Sequence, residues 1–155
     1  MVFVGEYEHS IDTKNRLAIA SELRAMARRA GAENEEGHIV FYVTPGEDED
    51  CLCLYTEQMF IKRAEQLDES MRDADELLAY EEMFFGQSRR VETDAQGRIR
   101  LPDNLLQDVG LGREVVLVGV KDHIRIRDRE QWLARKAQSR ADGTRRMLNP
   151  RRMLR

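Results

Sequence analysis

Apolar and polar residues alternate from the start of the chain: Val2 and Val4 flank Phe3, and Tyr7, His9 and Ile11 share one parity. A period of two puts such residues on one face of a strand, so residues 2–11 are expected to be extended, with Gly5 as a break or a close backbone approach. Residues 12–15 interrupt the pattern as a tight turn, in which an Asp carboxylate can accept backbone N–H groups. Alternation resumes at Arg16-Leu17-Ala18-Ile19, with Leu17 and Ile19 on one face and Arg16 on the other. The period then lengthens. Leu23, Met26, Ala27 and Ala30 recur at helical spacing, which predicts a short helix with Ser21 as N-cap and Gly31 just past its end. Two β-rich runs follow at 39–43 and 51–55, separated by Pro45-Gly46 and an acidic loop at 47–50. Leu52 and Leu54 face one way in the second run, and Cys51, Cys53 and Tyr55 the other. Thr56 is placed to cap a helix with the stripe Phe60, Ala64, Leu67 and Met71. A further helix over 74–85 carries Leu77, Tyr80 and Phe84, with Gly86 at its close. Such stripes are expected to pack in the core or against another subunit rather than to line a pocket.

The second half repeats the first. Asp12-Thr13-Lys14-Asn15-Arg16-Leu17-Ala18-Ile19-Ala20 has a near copy in Asp94-Ala95-Gln96-Gly97-Arg98-Ile99-Arg100-Leu101-Pro102, offset by 82 residues. In both copies an Asp stands four residues before an Arg, and Asn15 and Gly97 share one position. These are the residue types that best tolerate a left-handed backbone, so one geometric demand explains both. After Arg98-Ile99-Arg100-Leu101 come a short helix with Asp103 as candidate N-cap and Gly110 at its end, and an apolar run at 115–120. The run at 123–127 then matches 51–55, with Asp128 and Trp132 in place of Thr56 and Phe60. The order in each half is strand, turn, strand, short helix, two strands, helix. Repetition at this scale governs the whole fold assignment. It divides the chain into a first repeat (1–56), a connecting helical pair (57–86), a second repeat (87–135) and a C-terminal tail (136–155).

Charge changes this picture at one place. The formal net charge is −4, yet residues 140–155 hold six Arg against one Asp, a local +5. An acidic chain does not attract nucleic acid as a whole and needs a local basic face to do so. Cys51 and Cys53 lie two apart on an extended run, point the same way and are poorly placed to bridge each other. No third Cys or nearby His completes a zinc site, so they are expected to be ordinary core or half-core cysteines in a reducing compartment. No apolar run reaches membrane-spanning length and no leader precedes the first motif, so a cytoplasmic location is expected, with no membrane partner. No Ser–His–Asp arrangement, Gly-rich phosphate loop or metal motif is legible. His9, His38 and His123 are scattered. No enzyme activity, cofactor, metal or small-molecule substrate is therefore expected.

The opening Phe3-x-Gly5-Glu6-Tyr7, the two Asp-x-x-x-Arg turns, Gly97-Arg98-Ile99-x-Leu101-Pro102, residues 115–119 and Ile126-x-Asp128-x-x-x-Trp132 together resemble the MraZ family over residues 1–135. The resemblance implies a mixed α/β fold with a mainly β core. Two AbrB-like, swapped-hairpin β-barrel halves would form an intramolecular pseudo-dimer, with connecting and C-terminal helices. It also implies a DNA-binding transcriptional regulator, usually a repressor, acting at the promoter of the bacterial division and cell-wall gene cluster. Such a protein would be nucleoid-associated and would assemble as a homo-oligomeric ring, an octamer or a dodecamer. Double-stranded DNA would meet the repeated turns. Arg16 and Arg98 are then the principal contacts, Lys14 and Arg100 are added contacts, and Arg89 and Arg90 flank the second hairpin as phosphate contacts. Asp12, Asn15, Asp94 and Gly97 organise the turns. The chain departs from the family pattern at Asn15, Ala20 and Gln96, where Gly, Pro and Lys are usual. Two other readings stand beside this one. Each Asp–Arg pair can be a salt bridge that stiffens a turn, adding little stability when exposed. The chain can also be an antitoxin-like interaction module, docking a partner through its Arg-rich tail or the aromatic helix at 74–85.

Overall fold

The computed structural model describes residues 2–46, 50–70 and 73–141. Its elements run β1 (Glu6–Ser10), β2 (Arg16–Ala18), α1 (Ser21–Arg29), β3 (Val40–Pro45), β4 (Cys51–Tyr55), α2 (Glu57–Ser70), α3 (Ala74–Gln87), β5 (Arg89–Glu92), β6 (Arg98–Arg100), α4 (Asp103–Val109), β7 (Glu114–Val120), β8 (His123–Asp128) and α5 (Arg129–Ala141). Six strands form one antiparallel sheet in the order β1-β7-β8-β4-β3-β5, and β2 and β6 form a separate two-stranded ribbon.

The order of the large sheet reads the same in reverse when the repeats are exchanged, β1 with β5, β3 with β7 and β4 with β8. The two halves meet at the central β4·β8 pair, where Leu52 lies opposite Ile126. The opening strand of the first half pairs with β7 of the second, Tyr7 opposite Leu117. The expected barrel halves do not form among the described residues. Because β4 and β8 pair with each other, the halves fuse into one open sheet with β1 and β5 at its edges.

Period-two alternation decides which face of each strand is buried. Phe41 and Val43, Leu52 and Leu54, Val115 and Leu117, and Ile124 and Ile126 join one core cluster. The same cluster takes in Leu17 and Ile99 from the ribbon, Leu23 and Ala27 from α1, and Leu105 and Val109 from α4. Ribbon and short helices thus cover one face of the sheet. On the other face Cys51, Cys53 and Tyr55 pack with Met59 and Phe60 of α2. Both cysteines are buried, and neither is in a disulfide. Tyr42 stacks on Phe60 with ring centroids 4.5 Å apart, and Phe84 of α3 lies 6.3 Å from Phe60.

Several helix ends differ from expectation. Ala20, not Ser21, is the N-cap of α1, and Ser21 is already helical, its hydroxyl donating to Glu22 at 3.3 Å. Pro102, not Asp103, is the N-cap of α4. Helix α3 runs through Gly86 to Gln87, because Ser88 supplies the closing bonds by donating both its N–H and its hydroxyl to the Phe84 carbonyl. Thr56 does cap α2, its Oγ1 accepting from Met59 N at 3.4 Å. Helix α5 continues to Ala141, past residue 135. Met71, the acidic residues at 47–49 and the tail from 142 on lie outside the described residues.

Candidate nucleic-acid interface

The two Asp-x-x-x-Arg segments adopt the same turn, bond for bond. In the first, Asp12 Oδ1 accepts from Lys14 N at 2.9 Å and from Arg16 N at 2.8 Å, and Oδ2 accepts from Arg16 Nε at 2.7 Å. In the second, Asp94 Oδ1 accepts from Gln96 N and Arg98 N, each at 2.9 Å, and Oδ2 accepts from Arg98 Nε at 2.9 Å. Each Asp also exchanges backbone bonds across its turn: Asp12 N to Arg16 O at 3.0 Å and Asn15 N to Asp12 O at 3.0 Å, with Asp94, Arg98 and Gly97 repeating them. One carboxylate therefore fixes both the turn and the root of the arginine.

Such a carboxylate must be ionised to do this. The backbone N–H of Arg16, then its guanidinium and the Lys14 N–H, lower the Asp12 pKa to about 2 against some opposing burial. For Asp94 burial pulls upward but is outweighed by the N–H and guanidinium of Arg98 and by Gln96 N–H, so its pKa is also lowered.

The shared backbone demand is met at both tips. Asn15 has φ 61° and Gly97 has φ 76°, the left-handed region that L side chains enter at a cost. At Gly97 a second constraint applies, since a Cβ there would lie 2.7 Å from Arg24 Cζ. Arg24 rests on this tip and donates from Nε to Ile19 O at 3.0 Å. At the first tip, Asn15 Nδ2 donates to Asp103 at the start of α4, and Arg113 donates from Nη1 to the Asp12 carbonyl. Neither Arg24 nor Arg113 stood out in the sequence. The position matching Arg24 in the second repeat is Leu106, so the repeat carried no signal for it.

The ribbon then sets the arginines side by side. Arg16 lies opposite Arg100, Leu17 opposite Ile99 and Ala18 opposite Arg98. Leu17 and Ile99 are fully buried. By alternation Arg16, Arg98 and Arg100 project from the other face. Side-chain exposure is 34% for Arg16 and 29% for Arg98. Each Asp engages Nε and leaves the terminal nitrogens for other partners, Arg98 Nη2 donating to Gln96 Oε1 at 3.3 Å. Like charges directly opposite each other on a ribbon are destabilising. The Arg16–Arg100 pair is such a case, and among the described residues Arg100 Nε donates to the Lys14 carbonyl at 3.2 Å. A cost of this kind is intelligible if the face meets an anion.

Beside the first turn runs an open groove of about 740 Å³, lined by Lys14, Asn15, Arg89, Arg90, Arg100 and Asp103 among others. Arg89 leans on the end of α3, donating to Ser88 O at 2.9 Å and Gly86 O at 3.1 Å. Arg90 pairs with Glu92 at 3.1 Å. The structure thus brings Lys14, Arg89, Arg90 and Arg100 to one groove, and Arg16 and Arg98 to the adjoining ribbon face. Glu36, His38 and Glu92 place candidate ligand atoms within 4.8 Å of one another at the surface, with His38 Nδ1 3.8 Å from Glu92 and 4.0 Å from Glu36, and Glu92 paired with Arg90. Among the described residues no helix is long and apolar enough to cross a membrane.

Fold and site together define a class: an internally repeated chain with a mainly antiparallel sheet and twin Asp–Arg turns joined through one ribbon. Comparison with known proteins narrows this. A family model described as "MraZ protein, putative antitoxin-like" matches residues 84–150. The chain is 34% identical over 131 residues to the "Transcriptional regulator MraZ" of Finegoldia magna, covering 84% of each chain. It is 35% identical to the protein of that name from Moorella thermoacetica and 36% identical to the one from Alkaliphilus metalliredigens, again over 84% of each chain. The chain belongs to the MraZ family.

Proposed function

We propose that this protein is a transcriptional regulator that binds double-stranded DNA with the outer face of the β2–β6 ribbon. The observation that carries this reading is the cluster of Arg16, Arg98 and Arg100 on one face, each of the first two rooted in an ionised carboxylate. Arg can read a guanine edge through paired donors or clamp a phosphate. Arg16 and Arg98 are the principal contacts, Lys14, Arg100, Arg89 and Arg90 add contacts, and Asp12, Asn15, Asp94 and Gly97 hold the turns. The names of the three relatives support the regulatory role.

The finer reading follows the family resemblance. The protein represses the division and cell-wall gene cluster from its promoter, in the cytoplasm at the nucleoid. The palindromic strand order supports an origin in two AbrB-like halves that exchanged hairpins to make an intramolecular pseudo-dimer. Exposed Leu78 and Met83 on α3 and Ile61 on α2 offer apolar surface for a homo-oligomeric ring. Few basic contacts on the ribbon and groove of each subunit give weak binding by one subunit. Several subunits on repeated DNA elements bind far more tightly through effective concentration. Contacts made by cations to phosphate release counterions, so affinity falls steeply with salt. Fluorescence anisotropy with DNA from upstream of the protein's own gene, at several salt concentrations, tests this. A flat salt response contradicts it.

A second reading has a specific basis, the words "putative antitoxin-like" in the family description together with the exposed apolar residues of α3. On that reading the chain holds a partner protein and DNA binding is secondary. It predicts stable co-purification with one partner that survives Arg16→Ala and Arg98→Ala and is lost on Leu78→Asp.

A further inference from the structure

We infer that the two halves of the DNA-facing surface are unequal: the groove beside the first turn clamps the phosphate backbone, and the surface related to it by the repeat does not. This rests on the DNA-binding reading above and adds which half grips and what it grips.

The groove gathers Lys14 from the first tip, Arg89 and Arg90 from β5 and Arg100 from the end of β6, four cations against the single carboxylate of Asp103 in its lining. That carboxylate already accepts from Asn15. Arg100 Nε donates to the Lys14 backbone carbonyl, so the Arg100 side chain is anchored to the turn that carries Lys14. Arg89 is held by two carbonyls and keeps its full charge, since carbonyls do not neutralise it. Among the described residues, Arg90 is the groove cation paired with an acid, Glu92, at the surface.

The 82-residue offset identifies the matching positions. Lys14 corresponds to Gln96, Arg100 to Ala18, Arg89 to Tyr7 and Arg90 to Glu8. Strand pairing supports the match, since Glu92 and Ser10 hold equivalent places opposite Val40 and Glu114. Every cation of the groove is thus replaced by a neutral or acidic residue in the other half. His9, which corresponds to Val91, does not make up the deficit. Burial, then the charge of Arg129, lowers its pKa and favours its neutral form. Among the residues proposed to face DNA, the position shared by Arg16 and Arg98 is basic in both halves. Arg24, which rests on the second tip, matches Leu106 in the other half, and its Nε is taken up by the Ile19 carbonyl.

The chemistry of the groove fits a string of phosphates better than a base edge. Its cations come from three separate segments and line an open trough, and Lys14 and Arg89 offer charge without a paired planar acceptor. An open trough of about 740 Å³ with four cations suits a run of phosphates, and the ribbon that carries Arg16 and Arg98 adjoins it through Arg100.

The test is the slope of log affinity against log salt for duplex DNA from the protein's own upstream region. Each lost phosphate contact lowers the magnitude of that slope by about 1. The variant Arg89→Gln/Arg90→Gln/Arg100→Gln changes exposed side chains and is expected to lower it by about 3. The matched variant Glu8→Gln/Gln96→Ala is expected to leave it unchanged. A third variant, Ala18→Arg/Gln96→Lys, installs groove charges in the other half and is expected to raise it by about 2. Circular dichroism of each variant confirms that the fold is kept. If the triple variant keeps the wild-type slope while Arg16→Ala and Arg98→Ala still lose binding, the clamp is refuted and the DNA-binding reading stands. Should Arg16→Ala and Arg98→Ala bind as wild type, that reading fails and the clamp falls with it.

Discussion

Asp12 and Asp94 each do in one residue what a turn usually divides among several. They close the backbone, tie down the arginine through Nε and leave its outer nitrogens for another partner. The pH behaviour follows from the sign of the shift. The folded-state pKa of Asp12 is lowered from 3.8 to about 2, so its contribution is complete above the ordinary value and is lost as pH falls from there toward the folded value. Amide exchange at Lys14 and Arg16 should therefore show a steady protection factor from neutral pH down to about 5, with loss of protection only in the acid range below Asp's ordinary pKa of about 3.9. Loss of protection near pH 6 would contradict the role given to this carboxylate. At the second tip, Gly97→Ala forces a side chain into the left-handed region at φ 76° and against Arg24. A cost of about 1–2 kcal/mol is expected in chemical denaturation. Asn15→Gly removes a comparable backbone cost but also the bond to Asp103, so a change in stability smaller than that of Gly97→Ala is expected.

At the scale of elements, the ribbon is the part on which the candidate site depends. Its strands are three residues each, too short to persist alone, and they are held by Leu17 and Ile99 sinking into the core below. Leu17→Ala should cost about 2–5 kcal/mol and loosen the Arg16 face at the same time, measurable as a lower denaturation midpoint and weaker DNA binding. The turns were legible in the sequence because both copies demand the same unusual backbone at one position, and Asn15 and Gly97 answer it alike. The buried faces were legible because alternation fixes the side on which Leu52 and Leu54 or Cys51 and Cys53 lie. Alternation does not say which strand sits alongside, so the pairing of β1 with β7 could not be read from it. Helix starts were misplaced by one residue at Ser21 and Asp103, since polar residues suit either side of the boundary. At Asp103 the carboxylate is taken up by Asn15, 88 residues away. Long-range partners of that kind, with Arg24 on Gly97 and Arg113 on Asp12, leave no local trace in the chain.

On the scale of the molecule, a sheet symmetric in its strand order carries a charge distribution that is not. Residue exchange between the repeats maps β1-β7-β8-β4-β3-β5 onto itself, while Lys14, Arg89, Arg90 and Arg100 have no basic counterparts. The chain is acidic overall, with a net charge of −4, so on the proposed reading any attraction for DNA has to come from local basic patches such as this one. The most direct measurement is the affinity for DNA from the protein's own upstream region after Arg16→Ala and Arg98→Ala, singly and together, with the fold verified. Each single change is expected to cost about tenfold, and the pair about a hundredfold, as removal of base or phosphate contacts by Arg does. Affinity within threefold of wild type for the folded double variant would contradict the account.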